Sequence, residues 1–232
     1  PAEMITRRLL DWYAAHQRDL PWRRTRDPYH IWVAEVMLQQ TQVTTVIPYY
    51  ERFLARFPTV EALAAAPLDD VLKLWEGLGY YARARNLHAA ARRIVAEFNG
   101  RLPDTQNELQ SLPGIGRYTA GAILSIAYNQ DLPAPDGNVR RVLSRLFAID
   151  ADASRGAGQR RVWRLAAELL PPSQAGAFNQ ALMDLGATIC TPSAPQCDSC
   201  PLEDLCQAHA QGREEAYPVR RSRRPLPHYD VT

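Results

Sequence analysis

Apolar positions recur at helical spacing along nearly the whole chain, and no stretch alternates as a half-buried strand does. Ile5, Leu9, Trp12 and Tyr13 give one apolar face to a helix over residues 4–16. A loop rich in Arg and Pro follows over 19–28, then helices over 29–40 and 43–57, the latter with Pro48 tolerated near its first turn. Thr59 reads as the N-cap of a helix over 60–65, and Pro67 opens another that runs to Glu76. Gly77 and Gly79 interrupt the chain before a helix over 82–99, which Asn99-Gly100 stops. Residues 109–111 lead into a glycine-containing turn, and further helices are expected over 119–128, 138–147, 159–170 and 177–185. The expected fold is all-α.

One polar residue interrupts this pattern where it matters chemically. In Ile31-Trp32-Val33-Ala34-Glu35-Val36-Met37-Leu38-Gln39-Gln40 a lone carboxyl sits within an apolar run. On a helix its neighbours at i−4, i−3 and i+3 are Ile31, Trp32 and Leu38, so no polar stripe solvates it. Desolvation disfavours the anion and keeps a proton available near neutrality, as a general acid requires. The structural alternative is a buried glutamate paired with an arginine.

Composition narrows the class. With 232 residues, 46% of them hydrophobic, the chain can bury a sizeable core as one or two domains. No apolar run approaches the roughly 18–20 residues of a membrane span, and the N-terminal stretch lacks a signal-peptide core. A soluble, intracellular protein is expected. Among the 27 basic residues only Lys73 is lysine, so any chemistry that needs an amine has one candidate. A formal charge of +2 neither demands nor excludes nucleic acid, because a basic face can be balanced elsewhere.

All four cysteines lie in one short segment: Cys190, Cys197, Cys200 and Cys206, spaced C-x6-C-x2-C-x5-C. Disulfides that staple a fold would be spread more widely, so four clustered thiols read as a metal site. A single C-x2-C with wider flanks suits an iron–sulfur cube better than the paired knuckles of structural zinc, although thiolate ligands permit either.

Two further segments carry chemistry. Leu112-Pro113-Gly114-Ile115-Gly116-Arg117-Tyr118-Thr119-Ala120 lies between helical stretches. Its glycines let the backbone turn tightly, and its exposed amides with the next helix N-terminus make a phosphate seat. That is the hairpin of a helix–hairpin–helix unit, the alternative being an ordinary glycine-rich connection. One helix length downstream, Pro135-Asp136-Gly137-Asn138-Val139-Arg140-Arg141 places Asp136 before a helix. By itself Asp136 reads as an N-cap, but that spacing can return its carboxylate to the groove beside the hairpin.

A helix–hairpin–helix, then an aspartate, then this cysteine spacing resembles the endonuclease III superfamily of DNA glycosylases. The segments W-V-A-E-V-M-L-Q-Q-T-Q-V, G-L-G-Y-Y-A-R-A-R-N-L, L-P-G-I-G-R-Y-T-A-G-A and D-G-N-V-R-R-V are similar to its adenine-glycosylase branch, over about residues 5–227. The resemblance implies a helix–hairpin–helix glycosylase fold. A six-helix barrel domain would span 23–132, an iron–sulfur domain 1–22 with 133–212, and a linker 213–232 with an arginine-rich run at Arg220, Arg221, Arg223 and Arg224. Full-length members continue into a second domain that inspects 8-oxoguanine, and the chain stops where that linker should lead onward.

The implied substrate is double-stranded DNA with adenine opposite 8-oxoguanine or guanine, bound by a monomer in the cytoplasm at the nucleoid. The base must be flipped out, because the glycosidic bond is inaccessible inside the stack. By match to the motifs, Glu35 would protonate adenine and Asp136 would stabilise the cationic sugar, with Asn138 positioning Asp136 and Tyr118 against the sugar. Lyase relatives carry lysine where Tyr118 stands, so an uncut abasic site is expected. Gln40 and Tyr80 would wedge into the stack. Arg18, Leu20, Trp22, Arg23, Val43 and Gln180 would form the adenine pocket, Gln180 replacing a glutamate of some relatives. Leu112, Gly114, Gly116 and Arg117 would bind DNA, and the four cysteines a 4Fe–4S cluster. A thymine mismatch glycosylase is the alternative within the superfamily; a non-catalytic DNA-binding iron–sulfur protein is the alternative outside enzymes.

Overall fold

The structure, a computed structural model, describes residues 2–219, and among these it contains helices and no strand. The longer helices are α1 (Ala2–His16), α2 (Pro28–Leu38), α3 (Val43–Arg56), α4 (Val60–Ala65), α5 (Leu68–Trp75), α6 (Ala82–Phe98), α7 (Gln106–Gln110), α8 (Arg117–Ile126), α9 (Gly137–Leu146), α10 (Gly156–Glu168) and α11 (Ala175–Thr188). Short 3₁₀ turns and α12 (Gln207–Ala210) carry the chain through the cysteine segment. Among the described residues no helix is long and apolar enough to cross a membrane.

Several bounds depart from the expected elements, α2 ending at Leu38 and α11 running on to Thr188 among them, and three departures have a local reason or a consequence. α7 is an extra helix, and its signal is the Thr-x-x-Glu pattern of a capping box: the Thr105 hydroxyl accepts from the Glu108 amide, and here it also donates to the Glu108 carboxylate at 2.6 Å in place of the Thr105 amide. Pro48 lies in the second turn of α3 rather than the first. It is tolerated because Pro48 and Thr44, whose carbonyl loses its partner, both face solvent. α10 begins at Gly156, three residues before the expected start.

Two apolar clusters organise the molecule. The first is built around Trp32, Met37, Phe53, Phe57, Trp75, Leu87 and Ile94 from α2 to α6, with Leu109 of α7 and Ile123 of α8. The second joins Leu9 of α1 to Val142 and Leu143 of α9, Val162 of α10 and Phe178 and Leu182 of α11. α8 serves both, giving Ala120 and Leu124 to one and Ala122 to the other. Leu20 and Trp22, expected with the second domain, pack in the first cluster, because the chain crosses over before α2. The segment expected to be a linker from residue 213 also contributes structure. Tyr217 is 2% exposed, and its hydroxyl donates to Asp150 at 2.8 Å. Its arginine-rich part, 220–232, lies outside the described residues.

Candidate active site

α2 delivers Glu35. Asp27 caps the helix by accepting from the Tyr29 amide, and Pro28 fixes its first turn, which sets the register at the N-terminus. Eight of the eleven residues of α2 are buried, Glu35 among them at 6% exposure. Its carboxylate accepts a hydrogen bond of 2.6 Å from the Tyr118 hydroxyl on α8. Burial drives the Glu35 pKa up to about 7; the Tyr118 hydrogen bond and the Arg23 charge oppose this, and the Asp136 charge adds to it. The partner is therefore a tyrosine and not the arginine of the structural alternative. Burial, with the charges of Glu35 and Asp136, also pushes the Tyr118 phenol up, so it remains a donor.

Asp136 is the N-cap of α9. Its carboxylate accepts from the Val139 amide at 2.7 Å and from the Asn138 side-chain amide at 3.2 Å. Burial raises its pKa, while these donors and the Arg141 cation pull the other way. Glu35 accepts one hydrogen bond; Asp136 accepts several at a helix N-terminus, where an anion is favoured. The same burial therefore leaves Asp136 the more readily ionised of the two. Arg141 donates to the Asn138 side-chain oxygen at 2.8 Å and to the Gly186 carbonyl at 2.7 Å, which turns the Asn138 amide toward Asp136. α11 packs so closely here that a Cβ on Gly186 would lie 2.7 Å from that of Asn138.

Both carboxyl groups open into one cavity of about 1110 Å³ between the two apolar clusters. Arg18, Leu20, Trp22, Arg23, Gln40, Val43, Gly114, Gly116, Arg117, Tyr118, Asn138 and Gln180 also line it. The base of the cavity rests on a residue to which the sequence alone assigns no role. Asp184 of α11 is fully buried and accepts from Arg18 Nε at 2.7 Å and from both terminal nitrogens of Arg23 at 2.6 and 2.7 Å. Burial alone would raise its pKa, but Arg23 and Arg18 hold it below the usual carboxylate range. Asp184 stands between Met183 and Leu185 in an apolar helix, the same anomaly that marks Glu35. Trp163 likewise has no role legible in the sequence; Arg117 lies 3.9 Å over its ring.

The hairpin needs only one of its glycines for backbone reasons. Gly114 has φ +77°, and a Cβ there would come within 2.9 Å of the Asn86 Cβ. Gly116 has φ −91° and open space beside it, so it is the N-cap of α8 and not a strained turn residue. Leu112 is 3% exposed and belongs to the first apolar cluster, which leaves only its backbone for an outside partner. Gln40 and Tyr80 both have left-handed backbones, φ 57° and 49°, and both are exposed, Tyr80 by 61%. Such conformations cost roughly 1–3 kcal/mol each and persist where surrounding structure enforces them.

The four cysteines lie away from the cavity, unpaired and half-buried. They face one another closely enough that each charge would disfavour the next. Burial pushes the Cys200 thiol up to about 12 and the Cys197 thiol up to about 11 and raises the Cys206 thiol as well; the neighbouring cysteines add to this, and backbone hydrogen bonds at Cys200 and Cys206 oppose it. A cationic metal group relieves that repulsion by taking the thiolates, so the donor set fits a four-thiolate centre. Arg145 of α9 fixes the approach to it, donating to the Thr191 carbonyl at 2.6 Å, the Pro192 carbonyl at 2.9 Å and the Cys190 sulfur at 3.4 Å. His209 and Glu214 also lie near Cys197, but His209 is engaged between Glu214 and Glu203.

Comparison with known proteins identifies the family. Residues 33–168 match the family model of the HhH-GPD superfamily base excision DNA repair proteins. The chain is 51% identical over 224 residues to the adenine DNA glycosylase of Rattus norvegicus, covering 91% of this chain and 43% of that protein. The human adenine DNA glycosylase is 51% identical over 216 residues, covering 89% and 40%. This chain thus spans less than half the length of these two relatives. A solved thermostable thymine-DNA glycosylase superposes with a TM-score of 0.82 at 30% identity, covering 90% of this chain and 97% of that one. The family model matches more than half of the chain, which belongs to the HhH-GPD superfamily of base excision DNA repair proteins.

Proposed function

We propose that this chain is a monofunctional adenine DNA glycosylase. It extrudes adenine opposite 8-oxoguanine or guanine from double-stranded DNA, hydrolyses the N-glycosidic bond and leaves the strand uncut, acting as a monomer. The observation that carries this reading is the convergence of Glu35 and Asp136 on one cavity, Glu35 with a single hydroxyl donor and Asp136 with amide donors at a helix N-terminus.

In this reading Glu35 holds the proton and passes it to the departing adenine, which leaves as a neutral base. Asp136 stays anionic and stabilises the positive charge that develops on the sugar. Water adds to the sugar carbon and its proton returns to a carboxylate, so the balance is hydrolysis. Asn138 and the α9 amides hold Asp136, and Tyr118 orients Glu35. Arg18, Leu20, Trp22, Arg23, Val43 and Gln180 enclose the base, Gln180 donating to the Gly176 carbonyl at 3.0 Å within its own helix. The absence of lyase chemistry is supported by the only lysine: Lys73 is exposed on α5 and does not line the cavity.

Gly114, Gly116, Arg117 and the backbone at Leu112 would grip phosphates at the N-terminus of α8, and Gln40 and Tyr80 would enter the base stack. Cys190, Cys197, Cys200 and Cys206 would hold a 4Fe–4S cluster, whose contribution is to fold and brace the segment after α11. The two apolar clusters then correspond to a barrel domain and an iron–sulfur domain.

Thymine excision is the second reading, motivated by the thymine-DNA glycosylase neighbour at 30% identity. Base-release assays on duplexes with A opposite 8-oxoguanine, A opposite G and T opposite G decide between them. The expected result is free adenine and no nick without alkali; release of thymine alone would overturn the proposal.

A further inference from the structure

Arg83 stands outside the cavity, in the first turn of α6, yet it makes the densest set of side-chain hydrogen bonds near the two exposed left-handed residues. One terminal nitrogen donates to the carbonyls of Val36 at 3.0 Å, Met37 at 2.8 Å and Gln39 at 2.5 Å, all at the end of α2 beside Gln40. The other donates to the Thr41 hydroxyl at 3.2 Å, and across to the carbonyls of Leu78 at 3.4 Å and Gly79 at 3.2 Å, beside Tyr80. Its guanidinium also lies 5.6 Å from the centre of the Tyr80 ring and 5.4 Å from that of Trp75.

This placement is unfavourable for an arginine considered alone. A cation in the first turn of a helix opposes the macrodipole, and the Arg83 Nε is buried without a partner. The compensation comes from carbonyls of two turns that are distant in sequence. The bonds the 39–42 turn makes within itself are long: Gln39 amide to Val36 and Thr41 amide to Leu38, both 3.4 Å. Arg83 therefore supplies the short contacts there, and a planar fork can reach both turns at once where an ammonium cannot.

We propose that Arg83 is a positioning residue that locks the Gln40 turn and the Tyr80 turn into one rigid unit, so that both side chains enter the DNA stack together during base extrusion. The inference rests on the wedge roles proposed for Gln40 and Tyr80, and it assigns Arg83 to extrusion and not to bond cleavage.

The test uses Arg83→Lys and the milder Thr41→Val under single turnover with enzyme in excess. One substrate carries adenine paired opposite 8-oxoguanine; the other carries it unpaired in a bulge. Expected for Arg83→Lys is a loss of roughly 10- to 100-fold on the paired substrate and less than threefold on the bulge, with a smaller loss of the same pattern for Thr41→Val. A 2-aminopurine reporter beside the target should show extrusion slowed in parallel. Equal losses on both substrates would assign Arg83 to general folding and overturn the proposal, as would an unaltered extrusion rate. If the unsubstituted protein releases no adenine from either DNA, the glycosylase reading fails; the 2-aminopurine signal still tests the coupling.

Discussion

The middle of α2 and the C-terminal half of α11 each bury one carboxyl within an apolar helix, and the two carboxyls behave in opposite ways. Glu35 meets a tyrosine hydroxyl and apolar neighbours, and its pKa rises to about 7. Asp184 meets two arginines and is held below the usual carboxylate range. Burial is common to both; the partner decides the charge. Arg23 is central to this difference. It is near enough to Glu35 to act on its pKa, but Asp184 engages both of its terminal nitrogens. Burial thus keeps the proton on the proposed acid, and the neighbouring cation, engaged by Asp184, opposes it less than the Tyr118 hydrogen bond does.

The largest break in this comparison comes from removing the titrating groups themselves. Glu35→Gln keeps the shape and a hydrogen-bonding oxygen for Tyr118, yet has no proton to give; single-turnover excision should fall by about 10³-fold or more. Asp136→Asn should lose excision by a similar factor while keeping DNA affinity, since asparagine caps α9 nearly as well. Unchanged excision in either variant would remove that carboxyl from the proposed reaction.

Stability should expose the opposite signs directly. Glu35 has its folded pKa raised from 4.5, so its cost is absent below about pH 4.5, grows as pH rises to about 7 and is complete above that. The full cost is on the order of 3 kcal/mol, and Glu35→Gln should recover part of it only on the alkaline side. Asp184 has its folded pKa lowered, so its contribution is complete above about pH 4 and lost as pH falls below. Asp184→Asn should destabilise by roughly 3 kcal/mol at neutral pH, because it leaves the nearly buried Arg23 and the part-buried Arg18 without their carboxylate, and the deficit should shrink in acid. Denaturant melts of both variants from about pH 2 to 8.5 would show the two difference curves sloping in opposite directions, that of Asp184→Asn below about pH 4 and that of Glu35→Gln between about pH 4.5 and 7.

These pairs also show what could be read from the chain. The helical class and most elements followed from periodicity, because helices that bury one face must repeat every three to four residues. Glu35 was legible as a charge inside an apolar run, and the cysteine site was legible because all four ligands are local in sequence. Asp184 carries the same local signal as Glu35, yet its meaning lies in Arg18 and Arg23, more than 150 residues away. Arg83 was passed over for the same reason: an arginine at the start of an amphipathic helix looks solvated until the turns at 39–42 and 77–80 close on it. The capping box before α7 was a local signal that went unread. The αL backbones of Gln40 and Tyr80 had no such signal, since neither residue type announces a positive φ.

The finest adjustment lies in the single hydrogen bond that distinguishes Glu35 from an entirely unpartnered carboxyl. The Tyr118 hydroxyl favours the Glu35 anion and so restrains the rise in its pKa. Removing it with Tyr118→Phe should move the alkaline limb of the single-turnover rate upward from about pH 7, by less than one unit. At pH 8 the variant would then hold a larger protonated fraction than the unsubstituted protein, offsetting part of the loss that poorer orientation of Glu35 causes. At pH 6, where both are protonated, only the orientation loss remains, and the rate should drop by less than tenfold. A downward shift of that limb would mean that Tyr118 stabilises the acid form, and the contrast between Glu35 and Asp184 would then rest on the two arginines at Asp184 alone.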